Sequence, residues 1–449
     1  MEQVLERENL ITDKKQLTKF FASGCKSKKD FKIGLEFEKI AVNSYNFKSV
    51  PYSGKNGLRD FLFKYKSFDR MDEIFIDDSL LGLNIDSGYI SLEPGCQTEL
   101  STIPFEKVSD IASIIEEWNL KSAFLGEELG IYWLGCGIQP LSTFENIEMI
   151  PKKRYAIMSN YLPSKGSRSL VMMSETAGLQ TIVDYESEED AMLKLKVAMS
   201  ISPVITAMFA NSPIRGGKET GYKSYRASSW LDMDNDRCGF ISKKIFNDDF
   251  SFADYAEFLL DVPMFFIERE KNIINATHLT FREYMSNGYD GHSASPEDWH
   301  THITTVFPEV RLKNFLEIRN CDSQKADMIL ALPALIKGII YNTDALAQSW
   351  ELMKQFTYEQ LEEMRHEVPK YALQTEINGI KVANLAKELV NIAEKSLLSD
   401  VDTAKDAVYL SKLKELVEQE LSPADIILQN WNGSWNKNIE KFIEYSKLN

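Results

Sequence analysis

Residues 30–42, DFKIGLEFEKIAV, alternate without a break: Phe31, Ile33, Leu35 and Phe37 take the odd positions, and Lys32, Gly34, Glu36 and Glu38 the even ones. A period of two marks a strand with one face in a core. Glu36 and Glu38 therefore leave the same face while Leu35 and Phe37 enter the interior. Two carboxylates side by side ask for counter-charge, although a solvated strand face would explain them equally well. Working outward, residues 87–101, SGYISLEPGCQTELS, read as a second strand interrupted at Pro94-Gly95. The stretch 103–130 reads as a long helix, with Val108, Ile111, Ile115 and Trp118 at helical spacing. A helix over 14–23 precedes this unit, strands over 131–140 and 178–185 follow it, and Ser187 before Glu188 and Asp190 opens a capped helix over 187–211. Loops rich in Gly, Ser and Asn are expected at 212–221 and 284–297, and from about 323 onward the pattern is helical. Strands and helices intermingle first and helices come last, which is the α+β class with a helical C-terminal part. The chain divides into a catalytic α+β domain over 1–350 and a helical region over 351–449 packed on it.

The 449 residues are 44% hydrophobic and 26% charged, an ordinary globular make-up without internal repeats or low-complexity tracts. Apolar runs such as 328–335 and 197–210 are broken by Pro or Ser and fall short of the roughly 20 residues a bilayer span needs, so no membrane association is expected. The opening MEQVLERENLITDKK has no apolar core of a secretory signal, which predicts a cytoplasmic protein. Five cysteines, odd in number and without C-x-x-C spacing, speak for free thiols and against zinc or a disulfide framework. A formal charge of −16 repels nucleic acid and tolerates divalent cations.

Further acids repeat the pattern of the first pair. Glu93 and Glu99 are an even six apart, around a Gly95 that lets backbone approach a neighbour closely. In NFLEIRN (314–320), Glu317 and Arg319 share one strand face. Hard oxygen ligands in such numbers suit Mg²⁺, which keeps coordination places for substrate phosphates. Arg319 presents a planar fork to a phosphoryl group. PKKRYAIM (151–158) carries Lys152, Lys153 and Arg154, and SYRASSWLDMDNDR (224–237) carries Arg226 and Trp230. Surface ion pairs would account for these arginines as readily as ligand contacts. Asp232, Asp234 and Asp236 resemble the start of an EF-hand but lack its Gly and terminal Glu, and His300-Thr-His302 has no H-E-x-x-H context. Neither Walker A nor G-x-G-x-x-G occurs, so a nucleotide would be held through metal and arginine. Met172 and Met173 read as core.

Taken together, GLEFEK, SLEPGCQTELS, PKKRYAIM, TAGLQTIVDY, FANSPI, SYRASSWLDMDNDR, DVPMFF, TFREYM, TTVFPEVRLKNFLEIRNCD and SPADIILQNWNGSW resemble, in order, the plant and proteobacterial type of glutamate-cysteine ligase. That group of carboxylate-amine ligases is related in fold to glutamine synthetase. The resemblance implies a six-stranded antiparallel, half-open sheet, helices around it, and a concave face that binds metals and substrates. It implies Glu36, Glu38, Glu93, Glu99 and Glu317 as ligands of two or three Mg²⁺ ions. Arg154, Arg226, Trp230 and Gln180 would contact substrate, Arg319 and Lys152 would contact ATP, and Arg319 with Glu317 would form the catalytic pair. The implied reaction joins cysteine to the γ-carboxylate of glutamate through γ-glutamyl phosphate at the expense of ATP, the first step of glutathione biosynthesis, in a monomer or homodimer. Rival readings are the same chemistry with another amine acceptor, a non-catalytic nucleotide- or metal-binding relative, and a two-metal phosphohydrolase. The chain departs from the family pattern at Cys96, at Ile182 in place of Asn, and at Ser228. The loss of Asn at 182 leads to the expectation of a less selective acceptor pocket.

Overall fold

The computed structural model describes residues 10–68, 71–269 and 272–448. Nine strands form one antiparallel sheet: β1 (Ile33–Asn43), β2 (Asp72–Ile76), β3 (Ser79–Ile85), β4 (Gly88–Leu92), β5 (Thr98–Thr102), β6 (Ile131–Leu134), β7 (Gly178–Val183), β8 (Val310–Leu312) and β9 (Leu316–Asp322). Their order is β8-β9-β7-β1-β5-β4-β3-β2, and β6 pairs with the C-terminal part of β1. The class is the one expected, but among the described residues the sheet has nine strands rather than six. Part of the difference is the hairpin β2–β3, turned by Asp77-Asp78 with φ of 48° and 64°, the two left-handed residues that a tight hairpin of matching twist requires.

β1 is the axis of the sheet. Its odd residues Leu35 and Phe37 are fully buried, and Phe37 meets Trp118 of the helix Val108–Leu129 edge-on at 5.6 Å. Lys39 continues the same parity and is buried too. Its ammonium lies 3.5 Å over the Trp118 ring and donates to Ser122 Oγ, and burial lowers its pKa well below the ordinary value.

The segment 87–101 is a hairpin and not one interrupted strand: β4 and β5 pair antiparallel, with Leu92 opposite Thr98. The turn closes through Glu93 N–H to the Gln97 carbonyl and Cys96 N–H to the Glu93 carbonyl, both 2.9 Å. The close approach expected at Gly95 is real, since a Cβ there would stand 2.1 Å from the Ser174 carbonyl oxygen. Cys96 holds a left-handed φ of 69°, a conformation glycine adopts at less cost.

The helix Glu188–Met208 is capped by Ser187, whose hydroxyl accepts the Asp190 N–H. Contrary to expectation, it is long and apolar enough by composition to cross a membrane. Its apolar window is 94% buried within the protein, against β9 and the helices Thr343–Met353 and Tyr358–Tyr371, so it serves as the central core helix. The division anticipated after residue 350 falls inside the helix Thr343–Met353, and one hydrophobic core runs from Ile11 to Leu448 across it. The stretch 284–297, read as loop, begins inside the helix Phe281–Asn287.

Candidate active site

Register brings the acids together. Across the sheet Glu38 lies opposite Glu99 of β5, Glu36 opposite Gln180 of β7, and Glu317 of β9 opposite both Ile182 and Arg311 of β8. Residues directly opposite share a face, so Glu36, Glu38, Glu99, Gln180, Arg311, Glu317 and Arg319 all open onto one cavity of about 370 Å³. Glu93 joins from the β4–β5 turn. Arg154, Tyr155 and Met158 come from the helix Lys153–Tyr161, Met172 and Met173 from Ser169–Glu175, and Arg226 and Trp230 from Tyr225–Trp230. The methionines are thus core residues whose outer surface forms part of the wall.

Five glutamates and five basic residues line the cavity, and they are not evenly mixed. At one end Glu317 is saturated: Arg311 grips both its oxygens (Nε at 2.6 Å, Nη2 at 2.9 Å), Arg319 donates at 2.9 Å, and the Lys313 ammonium stands 3.6 Å away. Burial alone would raise this carboxyl, but the three cations outweigh it and hold Glu317 well below the usual carboxylate range. Arg319 also donates to Gln180 Oε1 at 2.7 Å, which fixes the guanidinium plane. Arg311 and Lys313 were missed by the sequence reading. Their signal was the alternation R-L-K before a short turn, which folds residue 311 back onto 317.

At the other end the acids face each other. Burial, and then the nearby Glu317, lifts Glu36 to about 7; burial, and then Glu93, lifts Glu38 to about 7; burial with Glu36 and Glu93 raises Glu99 further. Glu38 accepts the Gly178 N–H at 2.5 Å and Glu99 the Ser101 hydroxyl at 2.8 Å. Among the described residues no three His, Cys, Asp or Glu side chains close round a single point in this conformation. The chemistry of the set nevertheless fits divalent cations: four oxygen-donor side chains share one cavity with too little positive charge beside them, and a hard cation relieves that repulsion.

The same cavity carries donors without acceptors. Arg154 Nε, Arg226 Nη1 and Trp230 Nε1 are buried and have no hydrogen-bond partner among the described residues. Neither arginine makes the surface ion pair considered from sequence. Arg154 bonds the Tyr155 hydroxyl and Arg226 bonds the Arg319 carbonyl. Unspent buried donors of this kind are costly unless a ligand meets them, and an anionic substrate would do so.

Some expected residues stand elsewhere. Lys152 does not line the cavity. Its ammonium lies 5.2 Å from the Tyr155 ring, 3.5 Å from the Leu92 carbonyl oxygen. Ile182 shares the cavity face but packs beside Gly34, beyond the cavity wall, so it gives no direct support to a loosened acceptor pocket. Ser228 is buried outside it, where its hydroxyl accepts from Arg168. Asp234 is spent on Arg237, Asp232 on Ser167 and Asp236 on Lys165. His302 binds the Leu259 carbonyl and His300 packs on Phe20. All five cysteines are free thiols.

The family model for glutamate-cysteine ligase family 2 matches residues 32–444. The chloroplastic glutamate–cysteine ligase of Solanum lycopersicum is 34% identical over 434 residues, 96% of this chain and 82% of that protein. The chloroplastic enzyme of Arabidopsis thaliana is 34% identical over 443 residues, 98% of this chain and 82% of that protein. Among solved structures, the glutamate–cysteine ligase of Francisella tularensis in complex with AMP has the same fold, with a TM-score of 0.54 at 14% identity over 92% of this chain and 87% of that one.

Proposed function

The chain belongs to glutamate-cysteine ligase family 2, and on that premise we propose that it joins the amino group of L-cysteine to the γ-carboxylate of L-glutamate with ATP as co-substrate. A carboxylate is a poor electrophile and ATP is highly anionic, so the reaction must first bring two negative groups together. The observation that carries the reading is the make-up of the cavity, where crowded acids stand beside buried arginine and tryptophan N–H groups that have no partner among the described residues. Glu36, Glu38, Glu93 and Glu99 are the residues that would hold Mg²⁺, which supplies charge neutralisation for the phosphates. Arg154, Arg226 and Trp230 offer their free N–H groups to the carboxylates of glutamate and orient it. Arg319, fixed by Gln180 and Glu317, stands between these groups and steadies the phosphoryl oxygens as the γ-carboxylate is activated. When Arg319 turns to phosphate, Glu317 Oε1 loses one of its two partners and becomes available as a fifth oxygen donor. The amino group of cysteine then displaces phosphate to give γ-glutamylcysteine.

The test is product analysis with ATP, Mg²⁺, glutamate and each standard amino acid in turn. The expected result is γ-glutamylcysteine with one phosphate released per amide formed. ATP hydrolysis without an amide, or a product made only with another amino acid, would overturn the reading.

A further inference from the structure

Away from the catalytic cavity a second one, of about 120 Å³, lies where the C-terminal helices meet the end of β9. Met328, Leu416 and Ile426 give it an apolar wall, and four charged residues also line it. Lys412 and Glu415 satisfy each other at 2.9 Å. Lys325 and Asp327, two positions apart, have no oppositely charged partner within 4 Å among the described residues. The Lys325 ammonium is held 3.8 Å over the Tyr445 ring. Gln324, 1% exposed, lines the same cavity, and while its Nε2 bonds the carbonyls of Phe209 and Asp322, its Oε1 has no partner. A half-buried cation and an exposed anion at the mouth, the unspent buried Gln324 Oε1 and an apolar wall around a space of this size match a small zwitterion. We propose that this cavity binds a free α-amino acid with a short apolar side chain, its carboxylate toward Lys325 and its ammonium toward Asp327.

The site is wired to the catalytic one. Asn211, also in its wall, donates its backbone N–H to the Asp322 carboxylate at 2.7 Å and its amide to the Ser323 carbonyl at 2.8 Å. The same Asp322 carboxylate accepts the hydroxyls of Ser212 and Ser224, and Ser212 Oγ accepts the Arg226 N–H. Ser323 in turn donates to the Glu38 carbonyl at 2.6 Å. A ligand that shifts residues 322–323 is thereby felt at Arg226 and Glu38, and the coupling is reciprocal.

Calorimetry on the full chain, titrated with L-alanine and L-valine while saturating L-glutamate fills the catalytic cavity, tests the site. Saturable binding of at least one is expected, weakened at least tenfold in Lys325→Gln and in Asp327→Asn, both at positions open enough to substitute without unfolding. Isobutylamine and isovalerate, each lacking one charge of valine, should not bind. No binding to the wild type, or binding indifferent to both substitutions, overturns the proposal. The coupling arm alone rests on the ligase reading. Whichever of the two amino acids binds, at saturation, should shift the KM for glutamate at least twofold in the wild type and not in Lys325→Gln. An unchanged KM with binding intact overturns the coupling, whereas absence of ligase turnover leaves the calorimetric arm standing to decide the site.

Discussion

Two ends of one cavity carry the same residue type under opposite conditions. On β1 and β5, Glu36 and Glu38, half-buried, and Glu99, buried, crowd one another and drift toward neutrality. On β9, Glu317 is buried at least as deeply and is held firmly ionised by Arg311, Lys313 and Arg319. Burial alone does not set the charge of a carboxylate; the cations delivered by the neighbouring strand do. The β8–β9 hairpin brings counter-charge with it, and the β4–β5 hairpin brings only more acid. One end is therefore complete without ligand, and the other has a demand for cations that the chain itself leaves open.

The largest effect should come from breaking the complete end. Glu317→Gln leaves Arg311 and Arg319 buried without their carboxylate, a loss of about 3–5 kcal/mol of stability, read as a lower midpoint in urea. Glu38→Gln should cost no stability in the metal-free protein, because it removes like-charge repulsion, while lowering turnover on the order of a hundredfold. Equal midpoints for the two variants would erase the distinction between the ends.

The two ends also answer to pH with opposite sign. Glu36 and Glu38 titrate near 7 in the folded state against 4.5 when unexposed to these neighbours, so between those values the folded chain binds more protons than the unfolded one. Stability of metal-free protein therefore falls as pH rises from 4.5 to 7, by roughly 3 kcal/mol for one such carboxyl. Glu317, depressed, contributes stability that is present above 4.5 and lost only on acidification below it. Denaturation midpoints across this range, with and without excess Mg²⁺, should show the downward slope disappear when the metal is present. A flat metal-free profile would mean the acids are not crowded in solution.

Arg319 sits at the boundary between the ends, and its substitution by Lys keeps the charge but not the planar guanidinium, whose Nη1 donates to both Gln180 and Glu317. Arg319→Lys is expected to lower kcat by roughly a hundredfold, about 2.7 kcal/mol, with little change in the KM for ATP. A destabilised variant with unchanged kcat would instead make Arg319 a brace of the sheet.

What was legible in the sequence was whatever a local period could carry. The parity of β1 put Glu36 and Glu38 on the cavity face, and the even spacing of Glu317 and Arg319 did the same on β9. Gly95 betrayed a close approach, and Ser187 a helix start. Partners set by long-range register were not legible. Nothing local says that Arg311 folds onto Glu317, that Lys39 meets Trp118, or that Lys152 stays off the cavity lining, its charge still felt by Glu93 and Glu99, while Arg154, two residues on, reaches it. The five glutamates read as equals in sequence because each is an acid on the cavity-facing side of its strand or turn; only the third dimension reveals that Glu317 is already taken.

The most direct measurement is the binding of Mn²⁺, as a probe for Mg²⁺, by electron paramagnetic resonance in the wild type, Glu38→Gln and folded Glu317→Gln. Without nucleotide, Glu38→Gln should weaken Mn²⁺ binding on the order of 10- to 100-fold and Glu317→Gln should leave it nearly unchanged, whereas with a non-hydrolysable ATP analogue both should weaken it. Loss of Mn²⁺ affinity in nucleotide-free Glu317→Gln equal to that in Glu38→Gln would contradict the account.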